Sequence, residues 1–275
     1  MRVLTIVSIL LTTFLMLYAE PGDIIRTFEL EDQPRYGVWG LAYDPEDGNI
    51  WACGDDSEYS EFCKFRNDEG HDIIQEWQEL EAIYYVYDMA YPYYYEGKDT
   101  IVIIEGGYDG PSPVKIYNKE TGILLGELSE SPGVSYGICA NYDKETLYAS
   151  LYCGYYIYRW DGSTWEWFSN SDGYAIGMAY GWERVFVIYD ISPPCIKVFD
   201  SDGNLEERIK LNDWDGYGVS GLSRGRENIS GYNESLYATM YDDKIGYGII
   251  CEIEVGDYNT AINSSSVGDI KALFH

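Results

Sequence analysis

Trp39-Gly40-Leu41-Ala42, Tyr87-Asp88-Met89-Ala90, Tyr136-Gly137-Ile138-Cys139, Ile176-Gly177-Met178-Ala179 and Ser220-Gly221-Leu222-Ser223 are five versions of one phrase. They recur every 40 to 49 residues. A repeat of that period, built from short β-prone segments between turns, is the sequence pattern of a β-propeller. Four copies carry glycine at the second position and one carries Asp88. Two positions later each has a small residue: Ala42, Ala90, Cys139, Ala179 or Ser223. Glycine followed by a small residue suits a strand crowded against its neighbours around an axis. The phrase therefore marks the innermost strand of each blade.

Three more strand-sized segments follow each phrase. In the first unit the four are 38–43, 49–54, 61–66 and 72–80, with Asp44-Pro45-Glu46-Asp47-Gly48 between the first two. The turn between third and fourth segments recurs as Asn118-Lys119-Glu120-Thr121-Gly122, Asp161-Gly162 and Asp200-Ser201-Asp202-Gly203. Glycine accepts positive φ there, and Asn or Asp bonds its own backbone. Asp200-x-Asp202-Gly203 begins like a calcium loop, but the later ligands and terminal Glu are missing. Bulky residues in the second strands, Trp51, Ile103, Tyr148, Phe186 and Tyr237, are expected to fill the spaces between blades.

The N-terminus supplies the count. Residues 23–30 match the fourth strand of the first unit, yet no other strands precede them. The fifth unit has three strands and then a polar tail. The expectation is an all-β, five-bladed propeller of four-stranded blades, closed by residues 23–30 completing the last blade. Closure removes the open sheet edges that invite aggregation. The predicted organisation is a signal peptide over 1–19, a propeller over 20–257 and a tail over 258–275 that can form a short helix.

Arg2 followed by the apolar run 3–17 and Ala19 is the pattern of a secretory leader, too short for a membrane span. It predicts a secreted, periplasmic or cell-surface protein with no membrane span after cleavage. The 275 residues hold 18 Lys plus Arg against 47 Asp plus Glu, a net charge of −29. That charge repels nucleic acid and anionic lipid. Export also permits disulfides. Cys53 with Cys63, and Cys139 with Cys153, flank hairpin-sized gaps and are the pairs to expect; the alternative is that they are small buried hydrophobes.

The chain resembles the broad family of exported bacterial propellers with degenerate NHL-, YVTN- or WD40-like repeats. The five phrases carry the resemblance, with turns such as Tyr117-Asn118-Lys119-Glu120-Thr121-Gly122. It covers 20–257 and implies architecture, not activity. The Trp-Asp dipeptides of true WD40 repeats do not form a series; Trp160-Asp161 and Trp214-Asp215 are isolated. The segment 265–274 is similar to tails of large secreted proteins from uncultured bacterial lineages.

Catalytic chemistry is sparsely written. Only His71 and His275 occur, so a Ser-His-Asp triad or histidine metal site has little material. No phosphate-cradling loop is visible, and no cofactor or metal is expected. Asp88 breaks the glycine series and is the single catalytic candidate. A glycoside hydrolase would need it beside a loop carboxylate such as Asp190 or Asp242. The loops entering first strands, and those joining second to third strands, pair aromatic residues with acids. They nominate Tyr36, Tyr85, Tyr108, Tyr174, Asp190, Trp214, Tyr217 and Asp242, together with Asp88, as ligand-binding residues. Aromatic rings stack on sugar faces or peptide planes, and carboxylates accept hydrogen bonds from hydroxyls. The leading expectation is a monomeric, non-catalytic protein binding a glycan, peptide or cell-surface partner on that face. A carbohydrate-active enzyme built on Asp88 and a structural subunit without a small-molecule site stand beside it.

Overall fold

A computed structural model describes residues 20–29, 38–55, 60–68, 72–77, 86–106, 110–129, 131–141, 145–151, 155–189, 191, 193–211, 214, 218–226, 234–241, 248–256 and 258. These residues form strands and turns, with no helix among them. Blade 1 is β2 (Val38–Tyr43), β3 (Ile50–Asp55), β4 (Ser60–Phe65) and β5 (Ile73–Trp77). Blade 2 is β6 (Val86–Tyr95), β7 (Lys98–Glu105), β8 (Val114–Asn118) and β9 (Leu124–Glu127). Blade 3 is β10 (Ser135–Ala140), β11 (Leu147–Leu151), β12 (Tyr156–Trp160) and β13 (Trp165–Asn170). Blade 4 is β14 (Ala175–Gly181), β15 (Arg184–Tyr189), β16 (Cys195–Phe199) and β17 (Leu205–Lys210). Blade 5 is β18 (Gly218–Arg224), β19 (Glu234–Tyr241), β20 (Gly248–Gly256) and, last, β1 (Ile24–Glu29). The N-terminal strand completes the final blade, as the missing fourth strand predicts. Phe28 of β1 then packs edge-on against Phe65 and Tyr237, closing the seam between blades 5 and 1.

Five seams hold five apolar clusters. Trp51 meets Met89 and Tyr91 between blades 1 and 2; Ile104 and Ile116 meet Ile138 and Trp160 between blades 2 and 3. Tyr148 meets Met178 and Val187 between blades 3 and 4; Phe186 and Trp214 meet Leu222 and Leu236 between blades 4 and 5. Val38 and Phe65 meet Tyr237 and Ile250 at the closing seam. A four-stranded sheet is apolar on both faces here because each face abuts another blade. Removal of those faces from water is the main driving force of the ring.

The turns close as their residues dictate. Asn118 Oδ1 accepts from the amides of Glu120 and Thr121, and Asp200 Oδ1 from those of Asp202 and Asn204. Asp161 Oδ1 accepts from Ser163 and Thr164. The carboxylate that opens a calcium-loop-like run, Asp200, is thus occupied by its own hairpin. Gly203 has φ of 82° and packs on the Phe168 carbonyl of blade 3, where a side chain would overlap it.

The expected disulfide between Cys53 and Cys63 does not form. Cys53 stands opposite Phe62 and Cys63 opposite Ala52 in the β3–β4 ladder. That one-residue offset sends them to opposite faces of the sheet: Cys53 into the seam with blade 2, Cys63 into the seam with blade 5. Burial pushes the Cys63 thiol up to about 12. Cys139 is a buried free thiol, and its expected partner Cys153 lies outside the described residues. Also outside them are residues 1–19 and all of 258–275 except Tyr258. Tyr258 is buried, stacked near Trp182, with its hydroxyl donating to Glu207 at 2.9 Å.

Candidate functional site

The five innermost strands, β2, β6, β10, β14 and β18, run in the same sense along the axis, from an upper mouth to a lower one. Each has a register irregularity at its phrase: between Val38 and Gly40, Val86 and Asp88, Ser135 and Gly137, Ala175 and Gly177, and Val219 and Leu222. A bulge inserts an unpaired residue and re-aims its side chain. In four blades the inserted residue is the first of the phrase: Trp39, Tyr87, Tyr136 or Ile176. Below them the strands crowd. A Cβ on Gly177 would lie 2.3 Å from the Ser220 carbonyl oxygen of blade 5. One on Gly221 would lie 2.5 Å from the Trp39 carbonyl oxygen of blade 1.

Asp88 fills the position where the other blades have glycine, and it is fully buried. Met89 donates its amide to Oδ1 at 2.9 Å, and Ile138 of blade 3 donates to Oδ2 at 3.0 Å. The amides of Met178 in blade 4 and Leu41 in blade 1 also face it and favour its charged form. Four of five inner strands therefore converge on one carboxyl group. In the fifth blade, Gly221 of β18 donates its amide to Thr239 Oγ1 of β19 at 2.6 Å. Burial pushes the Asp88 carboxyl well above the usual carboxylate range, and the four amides pull against that shift. Asp88 is fully buried, and both its oxygens accept backbone amides. It ties blades together.

Above this floor lies the upper mouth. Trp39 is 37% exposed, while its neighbours Val38 and Gly40 are buried. Tyr87 and Tyr136 are half-buried, their rings edge to face with centroids 4.0 Å apart across the seam of blades 2 and 3. Glu105, at the upper end of β7, is buried against Lys115 at 2.5 Å. Burial raises its carboxyl; the Lys115 hydrogen bond opposes the rise. At the junction of blades 3 and 4, exposed Tyr174 and Tyr155 meet edge to face at 5.6 Å. The two loops are bonded: Ser171 donates its amide to the Tyr155 carbonyl at 2.6 Å. Tyr155 and Asp172 both hold left-handed backbone, with φ of 53° and 54°. For a bulky residue such as Tyr155 that conformation is costly and persists only where its surroundings impose it.

Of the nominated binding residues, Tyr174 is placed at this mouth. Trp214 is not: it is fully buried among Trp182, Phe186 and Leu236, because the chain joining blades 4 and 5 folds its indole into the seam. Tyr36, Tyr85, Tyr108, Asp190, Tyr217 and Asp242 lie outside the described residues. Sequence reading passed over Trp39, Tyr87 and Tyr136 as site residues. Their signal was present: a large aromatic residue immediately before the glycine or aspartate of an inner strand. No cluster of three or more His, Cys, Asp or Glu able to hold a metal occurs among the described residues.

No family model and no curated protein matches the chain. Solved structures do. One is the glutaminyl cyclase of Myxococcus xanthus, with a TM-score of 0.58 at 12% identity, covering 86% of this chain and all of that one. Another is regucalcin of Agrobacterium tumefaciens, described as a calcium-binding protein, at 0.53 and 15%, covering 83% of this chain and 94% of that one. A third is from a nidogen/laminin complex, at 0.50 and 13%, covering 77% and 78%. The functions in those names differ from one another, and at such identities the likeness shows the fold alone: this chain is a five-bladed β-propeller with propeller-like structural neighbours.

Proposed function

We propose that the chain is an exported, non-catalytic binding protein that takes a glycan at its upper mouth. Bulged Trp39, Tyr87 and Tyr136 on the inner strands carry this reading. Flat amphipathic rings at a channel mouth offer stacking surfaces for the apolar faces of sugar rings. The exposed Tyr155–Tyr174 pair extends that surface towards blades 3 and 4. Secretion through the 1–19 leader, a monomeric state and a kinship with exported bacterial NHL-, YVTN- or WD40-like repeats belong to the same proposal. The hydrolytic reading built on Asp88 loses its acid to the axis, and no observation favours it.

The test is a glycan array, with a peptide array beside it, probed with the mature chain and with Trp39→Ala and Tyr174→Ala. Wild type should retain a set of glycans, and each variant should bind them about tenfold more weakly, as expected for loss of a buried aromatic anchor. The unfolding midpoints should barely move. Equal retention by wild type and both variants, or binding confined to peptides, would overturn the glycan reading.

A further inference from the structure

Blade 3 carries an aromatic face away from the axis. In its outer hairpin Tyr158 stands opposite Trp167, Trp160 opposite Trp165, and Tyr156 opposite Asn170. Residues opposite each other in a ladder share a face, and alternation puts Tyr156, Tyr158 and Trp160 on the same one. The other face sends Ile157 and Phe168 into the seam with blade 4. The aromatic face turns towards blade 2, where Trp160 is buried among Ile104, Ile116 and Ile138 and Trp165 packs against the same cluster.

Blade 2 covers only part of this face. Its outer strand, β9, has four residues against six in β13. Leu125 and Leu128 reach the cluster, and Trp165 donates its indole Nε1 to the Ser129 carbonyl at 3.0 Å. The remainder is open to water. Trp167 is 59% exposed and Tyr156 42%, with Tyr158 half-buried and Asn170 exposed. Trp167 is the most exposed of the eight tryptophans.

The face is also uncharged, in a chain whose net charge is −29. Its three facing pairs hold five aromatic residues and one amide. The two charged residues of the same ladder, Arg159 and Glu166, stand opposite each other on the other face and pair at 3.3 Å. A basic partner would find no carboxylate among the aromatic residues, and a second copy of the chain would bring the same negative charge against itself. A neutral ligand with flat apolar faces and hydroxyl groups fits both properties. Rings stack on the faces of sugars, and the Asn170 amide can both donate to and accept from their hydroxyls.

We propose that this outer face of blade 3 is a second glycan site, which takes a neutral polysaccharide strand across Tyr156, Tyr158 and Trp167. Side chains two residues apart on a strand are about 7 Å apart, so the rings follow one another along a ligand instead of enclosing one sugar. The site is separate from the upper mouth and does not rest on it. The Tyr155–Tyr174 pair lies at the junction of blades 3 and 4, whereas these rings turn towards blade 2.

Affinity electrophoresis of the mature chain through gels holding soluble β-glucan, xylan or galactomannan, with alginate as a charged control, tests this. The background is the double variant Trp39→Ala with Tyr174→Ala, so that loss of the mouth and loss of the flank are read apart. At least one neutral polysaccharide should still retard that background. Adding Trp167→Ala should weaken retention about tenfold, as for loss of an aromatic anchor, and adding Tyr156→Ser about threefold. Adding Arg159→Gln, on the opposite face, should change nothing. Thermal unfolding reports whether each variant is folded, and Tyr156→Ser serves if Trp167→Ala is not. No retardation of the background, retardation by alginate alone, or equal retention with and without the flank substitutions would overturn the proposal. So would sedimentation showing a dimer that Trp167→Ala abolishes, which would make the face a contact between copies.

Discussion

The two halves of the axis differ although the same five strands build both. In the upper half every inner strand is interrupted at its phrase, and aromatic side chains emerge there: Trp39, Tyr87 and Tyr136. In the lower half the ladders of blades 1, 3 and 4 run on regularly past Leu41, Ile138 and Met178, and small residues line the axis before Tyr43, Tyr180 and Arg224 appear at the rim. Asp88 is the floor between them. The difference shows that a repeat fixes backbone geometry five times over while leaving each end free to carry its own chemistry.

The floor is the most sensitive place to test this division. Asp88→Leu keeps the bulk but leaves the amides of Met89 and Ile138 without their acceptor and removes the charge that the Met178 and Leu41 amides face. At roughly 1 to 3 kcal/mol for each buried orphan, the loss of stability should be on the order of 5 kcal/mol. Asp88→Asn keeps one carbonyl oxygen and should lose less. Denaturant midpoints check both. If Asp88→Leu unfolds like wild type, the carboxyl group does not hold the axis and the two halves are not separated by it.

The lower half answers next. Glu252→Gln leaves Arg26 and Arg226 facing a buried neutral group and should cost about 3 kcal/mol, the usual result of removing one member of a buried ion pair. Although burial pushes the Glu252 carboxyl up, the hydrogen bonds from Arg226 and Ser235 and the charges of Arg26 and Arg226 bring it below the ordinary glutamate value. Its contribution is therefore complete above that ordinary value and disappears as pH falls through the lowered one. Unfolding across the acid range should show wild type losing stability faster than Glu252→Gln. Parallel curves would mean that Glu252 does not hold the lower rim by charge.

The smallest expected effect belongs to crowding at the floor. Gly177→Ala puts a methyl group 2.3 Å from the Ser220 carbonyl oxygen. Backbone on both sides must shift, at about 2 kcal/mol. A neutral result in a thermal melt would show that the inner strands have slack, and that the glycines serve something other than close approach.

The candidate site was only partly legible in the sequence. Asp88 stood out because it broke the glycine series, but the break alone did not say whether the carboxyl group faces water or backbone. Trp214 read as a loop aromatic because it lies in Asp213-Trp214-Asp215-Gly216; only packing shows the indole withdrawn into the seam. Cys53 and Cys63 sat at hairpin distance, and a one-residue offset in register separated them. Arg26 and Arg226 gave no sequence signal, since they meet only on Glu252 of another strand.

By itself the sequence determined the ring. The spacing of five phrases set the number of blades, Asn and Asp beside glycine set the hairpins, and an orphan fourth strand at the N-terminus set the closure. These are local or periodic signals, and each is repeated often enough to survive divergence in any one copy. The tertiary structure decided what converges at the axis. Which amides meet Asp88, which rings emerge at one mouth and which guanidinium groups gather at the other depend on contacts between residues far apart in the chain. Such contacts are fixed by the closing of the ring and by register, and neither is written in any single repeat.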